Sequence, residues 1–193
     1  WAKRCKVEFE KQCLERGLTA ATRPHLYGVI QGHLNKAARK NCAEQLLKIG
    51  FDGYGLGGWL FNEDGTLNLD ICAYNASLTP DNLPRYALGV GKGVDVEKLY
   101  RMGYTIFDCV LPTRDARHGR LYNEDGYLYI DKKIYELDEK PLSANCDCQT
   151  CRRYSRAYLH HLFKIGDSAF YRHATCHNLR FYTRLCERLR KEK

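Results

Sequence analysis

Four short apolar runs, each closed by glycine or proline, punctuate the chain as far as Pro112: His25–Gly32, Phe51–Gly58, Pro84–Gly91 and Thr105–Pro112. Between them the period changes. In Lys36–Ile49 the positions Ala38, Cys42, Leu46 and Ile49 recur at three- and four-residue steps, which predicts one apolar side of a helix. Val94–Met102 carries a shorter pattern of that kind and Asp64–Ser77 a weaker one. Ahead of the first run, Trp1, Cys5, Phe9 and Cys13 predict a helix over 1–16 with these four on one face. Strand and helix alternating at intervals of about 20–35 residues is the signature of βα units in a parallel sheet. Four units make half of an eight-stranded barrel, which needs roughly 250 residues. The expected class is therefore α/β, with the second half of a (β/α)8 TIM barrel over 1–112. An open doubly wound sheet is the alternative, although no G-x-G-x-x-G follows a strand to mark a dinucleotide site.

From 113 to 193 the organisation differs. Asn123–Gly126 separates Leu121–Tyr122 from the aromatic run Tyr127–Ile130, a hairpin signal. A helix is expected from about Arg152 to Ile165, and a last one from about His177. The last helix shows Leu179, Tyr182, Cys186 and Leu189 on one face. Arg180, Arg184, Arg188 and Lys191 form another, either a solvated surface or an RNA contact.

Between hairpin and helices stand Cys146, Cys148 and Cys151 in C-x-C-x-x-C spacing, with His177 further on. Thiolate and imidazole suit zinc, and four such ligands close a tetrahedral structural site. His173 and Cys176 compete for the fourth position, since both lie within one helical turn of His177. The region is thus expected to be a zinc-binding subdomain appended to the half barrel.

Charge adds a partner class. Lysine and arginine number 31 against 23 aspartates and glutamates, a formal net charge of +8, which points to an anionic partner, nucleic acid first. Ten cysteines with no signal-peptide pattern point to a reducing, cytoplasmic setting. No apolar run approaches the roughly 18 residues of a membrane span. The sequence starts at Trp1 and its only methionine is Met102, so it is expected to be a piece of a longer protein.

In the fourth run Asp108 is in phase with Ile106 and Val110, and a carboxylate there is costly to bury without a partner or a task. Gln31, in phase with Tyr27 and Val29, could read a polar ring or cap the next helix. Gly55, Gly57 and Gly58 would let backbone approach a flat ligand, or simply make a turn. The segment Gly89–Gly93 lacks a full phosphate-loop pattern, yet Lys92 could meet a phosphate as a point charge. Arg114, Arg117 and Arg120 follow Asp108 closely and would hold a polyanion.

HLYGVIQG, GFDGYGLGG, PRYALGVGK, FDCVLPTRDAR, CDCQTCRRYSRAYLHHL and HNLRFY, in this order, resemble the tRNA-guanine transglycosylases, or queuine tRNA-ribosyltransferases, of bacterial type. The similarity runs end to end and corresponds to the C-terminal half of the catalytic chain. It implies exchange of guanine at the anticodon wobble position for a 7-deazaguanine, preQ1 or queuine, in queuosine formation. By this resemblance Asp108 is the nucleophile. Gln31, Gly58, Trp59, Glu63, Leu88 and Gly89 bind the base, Glu63 facing the aminomethyl group of preQ1. Lys92, Arg114 and Arg117 contact tRNA, and Cys146, Cys148, Cys151 and His177 hold one zinc.

The same resemblance implies a homodimer through the helix after the knuckle. Tyr154, Tyr158 and His161 are expected there as one stripe at i, i+4 and i+7. Trp59 and Phe61 stand where the family has smaller aliphatic residues, and Asn62 replaces a glycine. The proton-transfer aspartate and a second base-reading aspartate belong to the N-terminal half, so this chain is expected to need that half as a partner. The alternatives are a non-catalytic partner subunit and a zinc-stabilised tRNA-binding module of the same family.

Overall fold

The computed structural model describes residues 1–124 and 126–192. The chain forms two compact units, Trp1–Asp108 and Cys109–Lys193.

In the first unit β1 (Tyr27–Ile30), β2 (Gly53–Leu56), β3 (Arg85–Ala87) and β4 (Ile106–Phe107) form one parallel sheet in the order β1-β2-β3-β4. Helices α1 (Ala2–Glu15), α2 (Lys36–Ile49), α3 (Leu69–Ser77) and α4 (Gly93–Arg101) precede or connect them. Capping explains where two of the crossovers begin. The Asn35 side chain accepts from Ala38 N–H at 3.0 Å, and the Asn68 side chain accepts from Ile71 N–H at 3.0 Å, each satisfying a free helix donor.

The register pairs Ile30 with Leu56, Leu56 with Ala87, and Ala87 with Phe107. Ile30, Leu56 and Ala87 are fully buried under α2, α3 and α4, with Ala43 and Leu46 on one side and Ile71, Cys72, Ala76 and Leu99 on the other. The opposite face of β2 carries no side chain at Gly53, Gly55 or Gly57, residues that alternate along the strand and beyond its end. A Cβ at Gly55 would meet Leu88 at 2.7 Å, and one at Gly57 would meet Val29 at 2.5 Å and Gln31 Nε2 at 2.6 Å. Close approach of neighbouring side chains is what excludes larger residues there.

Several expectations need correction. The side of α2 that is buried is Arg39, Ala43 and Leu46; Ala38 is exposed and Cys42 only half-buried. In α1 only Cys13 is buried, and Trp1 and Cys5 are exposed. The strand expected over Thr105–Pro112 stops at Phe107. Val110 has helical dihedrals (φ −87°, ψ −5°), caps α5 (Leu111–Arg117) and is exposed, so it shares no strand face with Asp108.

The second unit contains α5, the antiparallel hairpin β5 (Arg120–Asn123) and β6 (Gly126–Tyr129), a short 3-10 turn, and α6 (Gln149–Arg153), α7 (Arg156–Lys164) and α8 (Ser168–Lys191). The expected hairpin turn includes Asp125, which lies outside the described residues. Ala116, Leu121, Leu128, Ile130, Leu142, Leu159, Leu162, Phe170 and Ala174 make its core. The helix expected over Arg152–Ile165 is broken at Tyr154–Ser155, where the Ser155 hydroxyl accepts from Tyr158 N–H at 3.2 Å and starts a new helix. The last helix begins at Ser168, capped by Asp167, so His177 sits mid-helix rather than at its start. Among the described residues no helix is long and apolar enough to cross a membrane.

Candidate active site and metal centre

The C-terminal ends of the four parallel strands gather Gln31, Gly57–Gly58, Leu88–Gly89 and Asp108. In parallel α/β sheets this is the end where functional groups collect. The Gln31 amide lies against the β2 exit: a Cβ at Gly58 would stand 3.3 Å from its Oε1. Gly58 itself has φ +83°, a conformation a side chain resists. Leu88 packs over Gly55.

Asp108 is exposed and held by one oxygen. Its Oδ1 accepts the Tyr86 hydroxyl at 2.8 Å and Gly89 N–H at 3.0 Å. Among the described residues Oδ2 accepts no hydrogen bond. The Asp108 carboxylate pushes the Tyr86 phenol above its ordinary pKa, with burial adding to it, so the proton stays on tyrosine and is donated. One carboxylate oxygen is thus oriented while the other is unengaged among the described residues. Tyr86 stands on β3 and was not singled out in the sequence; its only signal was its place two residues before Leu88 in the same run.

Trp59 is exposed and meets Phe61 edge to face, ring centroids 5.3 Å apart. Phe61 bridges to Leu67, and Gly65 N–H donates to Asn62 O at 3.0 Å, which places Glu63 at the tip of a tight turn, exposed. The Asn62 side chain ties to Thr66 and Asn68, fixing the base of that turn. Lys92 caps α4 and is exposed.

In the second unit Arg114 and Arg117 are exposed on α5, three residues apart and so on adjoining helical positions. Arg120 is not comparable. It pairs with buried Asp115 at 2.7 Å and lies over the Tyr127 ring. Burial raises the Asp115 pKa, but Arg120, the Tyr122 hydroxyl and Arg114 outweigh it, and the carboxylate ends below its ordinary value. Three of the four basic positions expected as a stripe on α8 are also engaged, Arg180 with Asp147 and Glu187, Arg184 with Glu124, and Arg188 with Glu192, while Lys191 is exposed. That face is better described as ion-paired than as a free cationic stripe.

The ligand atoms of Cys146, Cys148, Cys151 and His177 all lie within 4.8 Å of one another. His177 Nδ1 is 3.3 Å from Cys151 Sγ and 3.7 Å from Cys148 Sγ. Bond lengths of about 2.0–2.1 Å to nitrogen and 2.3 Å to sulfur put tetrahedral edges at roughly 3.5–3.8 Å, so the cluster has the span a metal of this class needs. The other imidazole nitrogen, Nε2, donates to Tyr122 O at 2.7 Å and leaves Nδ1 free to coordinate. Cys148 Sγ also accepts Cys151 N–H at 3.3 Å, at the start of α6.

The Cys148 thiol is pushed far down by hydrogen bonds with Cys146 and then Cys151, and Cys151 is pushed up by those with Cys146 and then Cys148. Thiolates this close repel one another unless a cation sits among them. His173 and Cys176 do not join this cluster: the His173 ring meets Tyr154 at a tilt of 49° with centroids 4.4 Å apart, and Cys176 is exposed.

Comparison with known proteins agrees with these observations. The family model described as Queuine tRNA-ribosyltransferase matches residues 1–192. The chain belongs to the queuine tRNA-ribosyltransferase family. It is 40% identical over 190 residues to a queuine tRNA-ribosyltransferase of Acinetobacter baylyi, covering 98% of this chain and 47% of that protein. It is 40% identical over 191 residues to the Haemophilus ducreyi protein of the same name, covering 99% of this chain and 48% of that one. The chain thus spans about half the length of the curated relatives it matches. Tyr122 and Asn178 connect the Cys146, Cys148, Cys151 and His177 cluster to α5, which carries Arg114 and Arg117. Asn178 accepts Tyr122 N–H at 3.0 Å and donates to Pro112 O at 3.1 Å and Arg120 O at 3.0 Å. The sequence signal for Asn178 was only its place beside His177 in HNLRFY.

Proposed function

We propose that this chain is the C-terminal half of a tRNA-guanine transglycosylase, a partial enzyme completed by the N-terminal half of a (β/α)8 barrel. The observation that carries the reading is the Asp108 carboxylate, exposed at the end of β4 with one oxygen oriented by Tyr86 and Gly89 and the other unengaged among the described residues. A carboxylate oxygen of Asp108 attacks ribose C1′ as the C1′–N9 bond to guanine breaks, and guanine leaves with a proton supplied by the proton-transfer aspartate expected in the N-terminal half. The N9 of the incoming 7-deazaguanine then displaces Asp108 from C1′ and gives its own proton back to that aspartate. Two displacements retain the configuration at C1′ and replace one hard step by two easier ones.

In this reading Gln31 and the backbone at Gly58 and Trp59 meet the polar edge of the base, Leu88 and Gly89 cover its plane, and Glu63 faces a cationic aminomethyl group. Arg114, Arg117 and Lys92 hold tRNA phosphates. One zinc is the metal of the Cys146, Cys148, Cys151 and His177 cluster; its chemistry is structural, joining hairpin, knuckle and α8. Thiolate ligands fit a reducing cytoplasm.

The test is direct. Enzyme carrying the complete barrel, incubated with tRNA and quenched in denaturant, should show a protein–RNA adduct on a denaturing gel. Absence of an adduct alongside normal tRNA binding would sink the covalent mechanism.

Two substitutions separate the binding roles. Glu63→Gln should weaken preQ1 about ten- to a hundredfold and spare guanine, since it removes one charge-assisted hydrogen bond worth roughly 1.5–3 kcal/mol. Arg114→Ala should weaken tRNA and reduce the log–log salt slope of binding by about 0.7–0.9, one phosphate contact. Equal effects of Glu63→Gln on preQ1 and guanine would remove Glu63 from base recognition.

The homodimer is assigned to the α7 surface. Tyr158 and His161 are exposed there, and Tyr154, outside the helix, stacks on Tyr158 with centroids 5.0 Å apart. Tyr158→Ala should shift sedimentation toward monomer while leaving the melting temperature within a few degrees. Unchanged sedimentation would move the interface elsewhere.

A further inference from the structure

Arg39 stands on α2 and is fully buried, yet among the described residues no carboxylate pairs with it. Its fork instead donates to four neutral oxygens: Nε to His33 O at 2.7 Å, Nη1 to Ile30 O and to Asn75 Oδ1 at 3.2 Å each, and Nη2 to Gly57 O at 2.9 Å. A buried charge is costly unless hydrogen bonds replace its water. These bonds do so, and their placement is specific. Ile30 ends β1 directly before Gln31 and His33 lies two residues beyond it in the loop after β1, whereas Gly57 immediately precedes Gly58 in the loop after β2.

The first loop resists its own conformation. His33 has φ +52°, unusual for a residue with a side chain, and follows Gly32 at φ +144°. Arg39 Nε holds the carbonyl of that residue. Behind the guanidinium, Asn75 is itself fixed: its Nδ2 donates to the Tyr104 hydroxyl at 3.4 Å, and that hydroxyl donates to Cys72 O at 2.8 Å.

We propose that Arg39 is a positioning residue for the base pocket, clamping the loops after β1 and β2 together from behind so that the Gln31 amide and the Gly58 backbone keep one fixed spacing. The inference rests on the reading of Gln31 and Gly58 as base-binding groups. A planar fork presents donors on three separated nitrogens and reaches carbonyls on two loops at once; the three donors of a lysine ammonium radiate from a single nitrogen and do not span that separation. Arg39→Lys therefore keeps the charge and loses the clamp.

The test uses enzyme carrying the complete barrel, with Arg39→Lys and, as a milder change, Asn75→Ala. Backbone hydrogen exchange is followed over 30–35 and 57–60, with β3 and the second unit as references, and KM is measured for guanine and for tRNA. In both variants exchange in the two loops should quicken, by at least about tenfold in Arg39→Lys, with the references unchanged. KM for guanine should rise at least about tenfold in Arg39→Lys, and less in Asn75→Ala, with KM for tRNA unchanged.

Folded Arg39→Lys with parental loop exchange, or with guanine and tRNA KM rising together, overturns the proposal. If Arg39→Lys does not fold, Asn75→Ala decides: parental loop exchange and parental guanine KM overturn it. If the parental enzyme exchanges no base, the functional reading fails, and loop exchange alone judges the clamp. Exchange quickened only in the two loops supports it, and uniform or absent change overturns it.

Discussion

Asp108→Asn should abolish both the tRNA adduct and base exchange, lowering the exchange rate by at least about 10⁴-fold, the scale at which loss of a covalent nucleophile is felt. The substitution is a clean one in this structure. An amide oxygen at the Oδ1 position can still accept from the Tyr86 hydroxyl and Gly89 N–H, which lie 2.8 and 3.0 Å from Oδ1 of Asp108, so the loop after β3 should keep its tether. Asp108 is exposed, and replacing its charge releases no buried partner. The melting temperature should therefore stay close to parental, and tRNA should still bind. An Asp108→Asn enzyme that exchanges labelled guanine at the parental rate would reduce Asp108 to an ordinary carboxylate at a strand end.

The strand ends were legible because glycine and proline punctuate them. Parallel strands buried on the helix side need apolar residues at Ile30, Leu56 and Ala87, and the chain must turn directly afterwards. The knuckle was legible because metal ligands have few spacings available. The fourth ligand was not decided by spacing, since His173, Cys176 and His177 share a short stretch of α8. Orientation on that helix brings His177 into the cluster: it is buried with Nε2 tied to Tyr122, while Cys176 faces solvent.

Arg39 illustrates what periodicity cannot see. A pattern of apolar positions places arginine outside, so the buried side of α2 was assigned one residue too early, at Ala38. The oxygens that make burial tolerable come from His33, Ile30, Gly57 and Asn75, which only the folded loops bring together. The aromatic stripe failed for a local reason. Tyr154 and Tyr158 are four apart, but Ser155 prefers to cap, and the cap splits one expected helix into two. Their rings still stack, by tertiary placement rather than by helical period.

Cys148→Ala should release the zinc and melt the second unit. Structural zinc contributes roughly 10–16 kcal/mol in small metal-folded domains, as much as the about 5–15 kcal/mol that holds a whole domain folded. Cys148 serves twice here, because its sulfur also accepts Cys151 N–H and so starts α6. The damage should spread along a defined route. Without the metal, His177 Nδ1 loses its partner, and the bond from Nε2 to Tyr122 O no longer orients β5. Beside it Asn178 bonds Tyr122 N–H, Pro112 O and Arg120 O, so the start of α5 and the Arg114 and Arg117 side chains it carries should lose their fixed position. Elemental analysis should find about one zinc in the parental chain and less than about a tenth in Cys148→Ala. Circular dichroism should show helix lost, and tRNA affinity should fall. Cys176→Ala is the control: it lies on the same helix one residue from His177, is exposed and stands outside the cluster, so it should keep its zinc and its melting temperature. Full zinc in Cys148→Ala, or zinc lost from Cys176→Ala, would mean that the ligand set is wrong.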